Sequence, residues 1–116
     1  PAPAQGPLRL LEKTPKNALR LSFLSRVFPD ARWVVLTRAV APNLGSLLDG
    51  WESGRFVTYP TLPDWPGLPW SFALPDGWQA WRGRDVAEIV CRQYAAIVSQ
   101  LADDLRAIDP AQVLAV

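Results

Sequence analysis

The chain has 116 residues, of which 49% are apolar and 20% are charged, and its formal net charge is +1. These proportions are typical of a folded domain, and the small net charge gives no support for nucleic-acid binding through the field of the whole molecule. A single cysteine and the lack of histidine exclude an internal disulfide, a CxxC metal site and catalysis by a histidine base within this sequence. No apolar run predicts a membrane span, and no signal peptide is visible.

Positive charge is concentrated in the first third of the chain. Residues 1–38 carry a balance of +5, whereas residues 39–81 come to −3 and residues 82–116 to −1. A basic segment favours an anionic ligand there, although solvated helix faces would give the same balance. We interpret residues 1–7 as a linker or a cut end and residues 8–116 as a single α/β domain or part of one. The absence of methionine leads us to expect a piece of a longer chain.

The spacing of apolar residues predicts an alternation of strands and helices. Their order indicates an α/β protein with a parallel sheet flanked by helices. The second strand is a continuous apolar run and is predicted to be buried on both faces. The last helix is predicted to pack its apolar stripe against the sheet. The long loop, rich in proline and tryptophan, is expected to be functional or disordered. The predicted elements are strand 8–11, helix 18–28, strand 31–38, helix 42–53, loop 54–84, helix 85–108 and strand 112–116.

Two polar clusters follow predicted strands, at the end of a parallel sheet where ligands bind. The first contains Glu12, Lys13 and Thr14, and it is either ordinary turn chemistry or a reaction centre. The second contains Arg38, with Ser46 in the first two turns of the next helix. A guanidinium beside a helix N-terminus suits a phosphate group, but an arginine at a strand end and a serine on a helix are also common without a ligand.

Taken together, these motifs resemble the sulfotransferase superfamily, especially bacterial members and the Golgi carbohydrate sulfotransferases. The matching segments are Glu12-Lys13-Thr14-Pro15, Phe28-Pro29-Asp30-Ala31, and Arg38 with Ser46 eight positions later. The resemblance covers residues 8–53 well and residues 85–116 loosely. It implies a P-loop-like α/β architecture, of which this chain would hold an internal part. The pattern departs from the family at Pro42, which lies two places later than usual, and it lacks the glycine-rich loop for the 5′-phosphosulfate.

The resemblance also implies a role for each candidate residue. Arg38 and Ser46 would hold the 3′-phosphate of the co-substrate 3′-phosphoadenosine 5′-phosphosulfate, and Glu12 would be the base that removes a proton from the acceptor hydroxyl. Lys13 would orient the sulfonate or pair with Glu12, and no metal is implied. The acceptor would be a carbohydrate, a lipid or a small metabolite. The bacterial cytoplasm is favoured as the compartment, with the Golgi lumen as the alternative.

Two other functions remain open at this stage. A nucleotide kinase-like protein has the same general sheet and binds anions in the same way, but it would need a Walker lysine and metal-binding acids outside this segment. A non-catalytic interaction module would use the four tryptophans of residues 54–84 as its binding surface. These rings are expected either to stack on an acceptor or to pack as a lid over the core. The oligomeric state is not predicted.

Overall fold

The computed structural model describes residue 6 and residues 9–116, so the predicted linker over residues 1–7 lies outside the described residues except for Gly6. This part of the chain forms an α/β fold with three α-helices, four short strands and three 3₁₀ helices. The α-helices are α1 (Leu21–Val27), α2 (Val40–Ser53) and α3 (Val86–Leu105), the strands are β1 (Trp33–Val35), β2 (Val57–Tyr59), β3 (Trp70–Ser71) and β4 (Val113–Ala115), and the 3₁₀ helices cover Pro15–Leu19, Trp78–Trp81 and Pro110–Gln112.

A small parallel sheet joins the middle of the chain to its end. β1 pairs with β4 in parallel, with Val34 opposite Leu114. The backbone hydrogen bonds continue past both strands, since Val116 N–H donates to the Val35 carbonyl at 2.9 Å and Thr37 N–H donates to the Val116 carbonyl at 2.7 Å. The prediction of an α/β fold with a parallel sheet is confirmed at this level. The sheet has two strands in the described residues.

The predicted strand over residues 8–11 is not a strand in the structure. Residues 9–14 have no regular secondary structure, and Leu10 and Leu11 are 84% and 93% exposed; Leu8 lies outside the described residues. A strand needs a partner for its backbone N–H and C=O groups. A local apolar run says nothing about that partner, and here residues 9–11 have none within the described sheet.

The prediction that residues 31–38 are buried on both faces is also wrong. β1 covers three of these residues, and Val34 and Leu36 are 58% and 70% exposed. Burial on both faces requires helices on each side of the sheet. In the described residues the helices pack mainly on one another, so the outward residues of β1 stay in contact with solvent.

The helix predictions hold with shifted boundaries. The segment 18–28 is divided into the 3₁₀ helix Pro15–Leu19 and α1, and the break falls at Arg20, whose φ of −131° is not helical. α2 begins at Val40, two residues before Pro42. Among the residues described, none of the helices combines the length and apolar character that a membrane crossing requires.

Asp85 and Glu88 form a capping-box-like pattern in the sequence, and the N-terminus of α3 is capped at Asp85. The Asp85 carboxylate accepts a hydrogen bond from the Glu88 backbone N–H at 2.8 Å. This bond satisfies one of the free N–H groups that open a helix. We expect Asp85→Ala to lower the free energy of unfolding by about 1 kcal/mol, measured by urea denaturation. Asp85→Asn, which keeps a capping oxygen, should lose less; equal losses in the two variants would contradict a capping role.

The hydrophobic core lies between α2, α3 and the tryptophan-rich segment. Its buried members come from all three and are Trp51, Trp70, Trp81, Ile89 and Val90. α3 packs against α2, α1 and the first 3₁₀ helix. The expectation that the stripe of α3 packs on the sheet is therefore wrong, because the tryptophan-rich segment and α2 supply the apolar surface that covers it.

Candidate functional site

The Glu12 side chain is part of a hydrogen-bonded turn. Its carboxylate accepts hydrogen bonds from the Thr14 hydroxyl and from the Asn17 side-chain amide. Thr14 is extended (φ −139°, ψ 126°) and precedes the 3₁₀ helix Pro15–Leu19. The turn interpretation thus describes the local structure. The same two bonds hold an exposed carboxylate in one direction, which a base would also need. Lys13 is exposed beside it and forms no ion pair with the described residues.

Arg38 lies between the parallel sheet and α2. Thr37 makes the last sheet hydrogen bond, Arg38 follows it, and α2 begins two residues later at Val40. Arg38 is exposed, and it makes no ion pair or side-chain hydrogen bond within the part of the chain that the structure describes. None of its guanidinium donors is therefore used by a described residue. The sequence prediction that an arginine follows a parallel strand and precedes a helix is confirmed.

Ser46 lies in the second turn of α2. It is exposed, and its hydroxyl donates to the Pro42 carbonyl at 2.9 Å. A serine on a helix often makes such a bond to the carbonyl four residues earlier. The bond occupies the hydroxyl proton, so a ligand at Ser46 would have to replace the Pro42 carbonyl as its acceptor.

The four predicted site residues fall into two groups along the chain. No hydrogen bond or ion pair joins Glu12 or Lys13 to Arg38 or Ser46 in the described residues. None of the four lines either of the two clefts described below. The structure therefore gives two separate candidate regions, a turn at Glu12 and a strand-to-helix connection at Arg38.

The larger cleft, called the main cleft below, has a volume of about 400 Å³. Its walls come from the first 3₁₀ helix, the end of β2, the segment 73–76 after β3, and one face of α3. The Lys16 ammonium lies 5.6 Å from the centre of the Tyr59 ring, a distance that allows a cation–π interaction. Its polar lining residues are Lys16, Arg20, Tyr59, Asp76, Ser99, Gln100 and Asp103.

A smaller, mostly apolar cleft of about 250 Å³ lies next to the Glu12 turn. Thr14, Pro15, Phe56 and Phe72 are among its lining residues, and the Phe56 and Phe72 rings stack with their centres 5.1 Å apart. Lys16 and Ala73 line both clefts. The Glu12 carboxylate does not line this cleft, but it accepts a hydrogen bond from Thr14, which does.

The tryptophans of the segment 54–84 pack mainly on one another. Trp70 is fully buried, and its ring lies 5.1 Å from those of Trp51 and Trp65 and 6.0 Å from those of Trp78 and Trp81. The Trp70 indole N–H donates to the Ala73 carbonyl at 3.0 Å. This geometry favours the core-packing alternative over a stacking surface for an acceptor.

Sequence reasoning missed one polar residue that organises this region. Gln93 is fully buried, accepts from the Trp51 indole N–H at 3.0 Å, and donates to the carbonyls of Ser71 and Ala73 at 2.9 and 2.6 Å. A signal was present, because Gln93 interrupts an apolar stripe four residues from both Ile89 and Ile97. A polar residue on a buried helix face needs partners.

Comparison with known proteins adds no relative: no family model, curated protein or solved structure matches this chain. The class that the fold defines is a small α/β protein with a two-stranded parallel sheet. The sulfotransferase resemblance therefore depends on the motifs at Glu12 and at Arg38 and Ser46.

Proposed function

We propose that this chain is part of a sulfotransferase, in which Arg38 and Ser46 hold the 3′-phosphate of 3′-phosphoadenosine 5′-phosphosulfate and Glu12 is the base. The observation that carries the proposal is the position of Arg38, exposed and without an ionic partner in the described chain, between a parallel strand and the N-terminus of α2. The small parallel sheet would then be part of a larger, P-loop-like architecture. The acceptor is a hydroxyl-bearing carbohydrate, lipid or metabolite, and the favoured compartment is the bacterial cytoplasm.

The start of α2 supports binding of an anion beside Arg38. Ala39, which precedes the helix, provides no side-chain cap. Because Pro42 has no N–H and the Asn43 N–H donates to the Ala39 carbonyl at 3.3 Å, the N–H groups of Val40 and Ala41 are the ones left without a partner in the helix, at an end that carries a partial positive charge. A phosphate here would accept hydrogen bonds from these N–H groups and from the planar guanidinium of Arg38. Hydrogen bonds to a charged group contribute about 1.5–3 kcal/mol net, so Arg38 would supply most of the affinity for the phosphate.

Ser46 would add a weaker contact. Its hydroxyl would turn from the Pro42 carbonyl and donate to a phosphate oxygen instead. The Pro42 carbonyl can still accept from the Ser46 backbone N–H, as in any α-helix, so this exchange costs little. Because one hydrogen bond replaces another, the gain from Ser46 is expected to be smaller than the gain from Arg38.

Glu12 would act on the acceptor. In the proposed reaction the acceptor oxygen forms a bond to sulfur, the bond from sulfur to the phosphate oxygen breaks, and the hydroxyl proton passes to the Glu12 carboxylate. Each carboxylate oxygen accepts one hydrogen bond, from Thr14 or Asn17. Each oxygen therefore keeps a lone pair with which to accept the acceptor proton. Lys13 would orient the sulfonate.

Calorimetric titration with adenosine 3′,5′-bisphosphate, the desulfated co-substrate, tests the phosphate site. Arg38→Ala should weaken binding at least fivefold, which corresponds to about 1 kcal/mol, because the charged donor is lost. Stability should change by less than about 0.5 kcal/mol, since Arg38 is exposed. Arg26→Ala, which removes an exposed arginine from α1, is the matched control and should leave affinity within twofold. Equal affinity in the two variants, or no binding to the chain, would count against the proposal.

A further inference from the structure

The main cleft has the volume of a small-molecule site. Its volume of about 400 Å³ falls within the range of roughly 300–1,000 Å³ that is usual for ligand pockets. Four separate parts of the chain form its walls, so the cleft is a product of the tertiary fold. Leu19, Leu74, Pro75 and Ala96 add apolar groups to the lining, and these suit the C–H surface of a ligand.

The charges in the main cleft favour a ligand with a single negative group. Lys16 and Arg20 lie four residues apart on one wall and form no ion pair within the described chain. The acids are Asp76 and Asp103, and Asp103 already pairs with Arg106 at 2.5 Å. Two cations therefore face one uncompensated acid. A ligand with one negative charge balances this surplus, whereas a multiply charged anion would leave a net negative charge in the cleft.

The remaining polar groups are suited to hydroxyls. The Tyr59 and Ser99 hydroxyls can each donate and accept. Gln100 uses its amide N–H on Asp104 at 2.9 Å, so its carbonyl oxygen remains an acceptor. Asp76 adds an acceptor of strong hydrogen bonds. A ligand that only accepts or only donates would leave part of this set without partners.

We infer that the main cleft binds a small hydroxylated acid, a molecule with one negatively charged group beside several hydroxyls. The negative group lies against Lys16 and Arg20, the hydroxyls contact Tyr59, Ser99 and Asp76, and the C–H surface contacts the apolar lining residues. This inference does not depend on the proposed sulfotransferase activity, because none of the four residues assigned to that activity lines the main cleft.

Two probes that differ at one group test the inference by NMR titration of the ¹⁵N-labelled chain. Methyl β-D-glucuronide carries a carboxylate where methyl β-D-glucoside carries a hydroxymethyl group. The glucuronide should give saturable shifts at Leu74, Ser99 and Gln100, with a Kd at least fivefold lower than that of the glucoside. In the double variant Lys16→Gln/Arg20→Gln the two affinities should lie within twofold. Arg26→Gln, which alters an exposed arginine that does not line the cleft, should keep the preference.

Steric blocking provides a second test that leaves the charges unchanged. Ser99→Trp places a large ring in the cleft from the exposed surface of α3 and should abolish the shifts with both probes. Ala102→Trp adds the same ring at an exposed position of α3 that does not line the cleft and should leave them intact. Equal affinity for the two probes, unchanged binding in Ser99→Trp, or no saturable shift would overturn the inference. Inorganic sulfate binding as tightly as the glucuronide would also overturn it, because the site would then recognise charge alone.

Discussion

Replacing Gln93 with leucine should lower the free energy of unfolding by about 2–6 kcal/mol, because each buried polar group that loses its partner costs roughly 1–3 kcal/mol. The Trp51 indole N–H would lose its acceptor, and the Ser71 carbonyl would lose the amide donor. The Ala73 carbonyl would still accept from the Trp70 indole. Small domains are stable by about 5–15 kcal/mol in total, so this one substitution removes a large part of the stability.

Urea denaturation followed by tryptophan fluorescence measures the effect of Gln93→Leu. Gln100→Leu is the matched control, because it makes the same change at an exposed position of the same helix, and it should alter stability by less than about 0.5 kcal/mol. Trp51→Phe removes the indole N–H that Gln93 accepts. Combining it with Gln93→Leu should cost less than the two single changes together. Additive losses, or a loss no larger than that of Gln100→Leu, would show that Gln93 does not link Trp51 to the tryptophan-rich segment.

Trp70→Ala is the second change with a large expected effect, a loss of about 3–5 kcal/mol, the usual cost of truncating a buried aromatic residue. Trp70 is fully buried among four other tryptophan rings. Its removal leaves a cavity and also frees the Ala73 carbonyl from the Trp70 indole.

Thermal and urea unfolding of the Trp70→Ala variant provide the measurement. Phe23→Ala removes an aromatic ring that is largely exposed on α1 and should change stability by less than about 0.5 kcal/mol. Trp70→Phe, which keeps a ring, should lose less than Trp70→Ala. If Trp70→Ala were as stable as the original chain, the tryptophans would not form a core, and the interpretation of this segment as a ligand-binding surface would regain support.

The helices were predictable because their signals are local. Periodic apolar residues locate α2 and α3, and Asp85 with Glu88 marks where α3 begins. The break at Arg20 was not predicted. It separates a 3₁₀ turn from α1, and apolar spacing alone does not distinguish the two kinds of helix over one or two turns.

The strands were predictable only where a partner exists. The runs 31–38 and 112–116 became β1 and β4 because they pair with each other. The similar run 8–11 has no partner in the described residues and forms no strand over residues 9–11. The burial of β1 could not be predicted for the same reason, since it depends on what covers the sheet.

The structure of the tryptophan-rich segment depends on contacts between distant residues. The apolar residues of 54–84 show no clear period. In the structure, however, β2 and β3 pair antiparallel, and the Phe72 N–H donates to the Phe56 carbonyl at 3.1 Å. Gln93 then fixes the segment from 20 residues or more away. Residues 54–84 therefore looked like a loop in sequence, although they provide much of the core.

In the candidate site, too, local features were predictable and features that depend on distant contacts were not. The positions of Arg38 and Ser46 in the fold were predictable, because local signals indicate the strand before Arg38 and the helix that contains Ser46. The direction of the Glu12 carboxylate depends on its hydrogen bonds with Thr14 and Asn17. The sequence indicates a turn here, but it does not show these two bonds. The main cleft could not be predicted, because its lining comes from positions between Lys16 and Asp103 that only the fold brings together.

Binding of two nucleotides to the original chain and to Arg38→Ala tests the central claim most directly. Adenosine 3′,5′-bisphosphate and adenosine 5′-monophosphate differ by the 3′-phosphate alone. If Arg38 holds that phosphate, the chain should prefer the bisphosphate by about tenfold, or 1.4 kcal/mol, and Arg38→Ala should reduce the preference to less than twofold. An equal preference in both proteins, or no preference in either, would contradict the assignment of Arg38 to the 3′-phosphate.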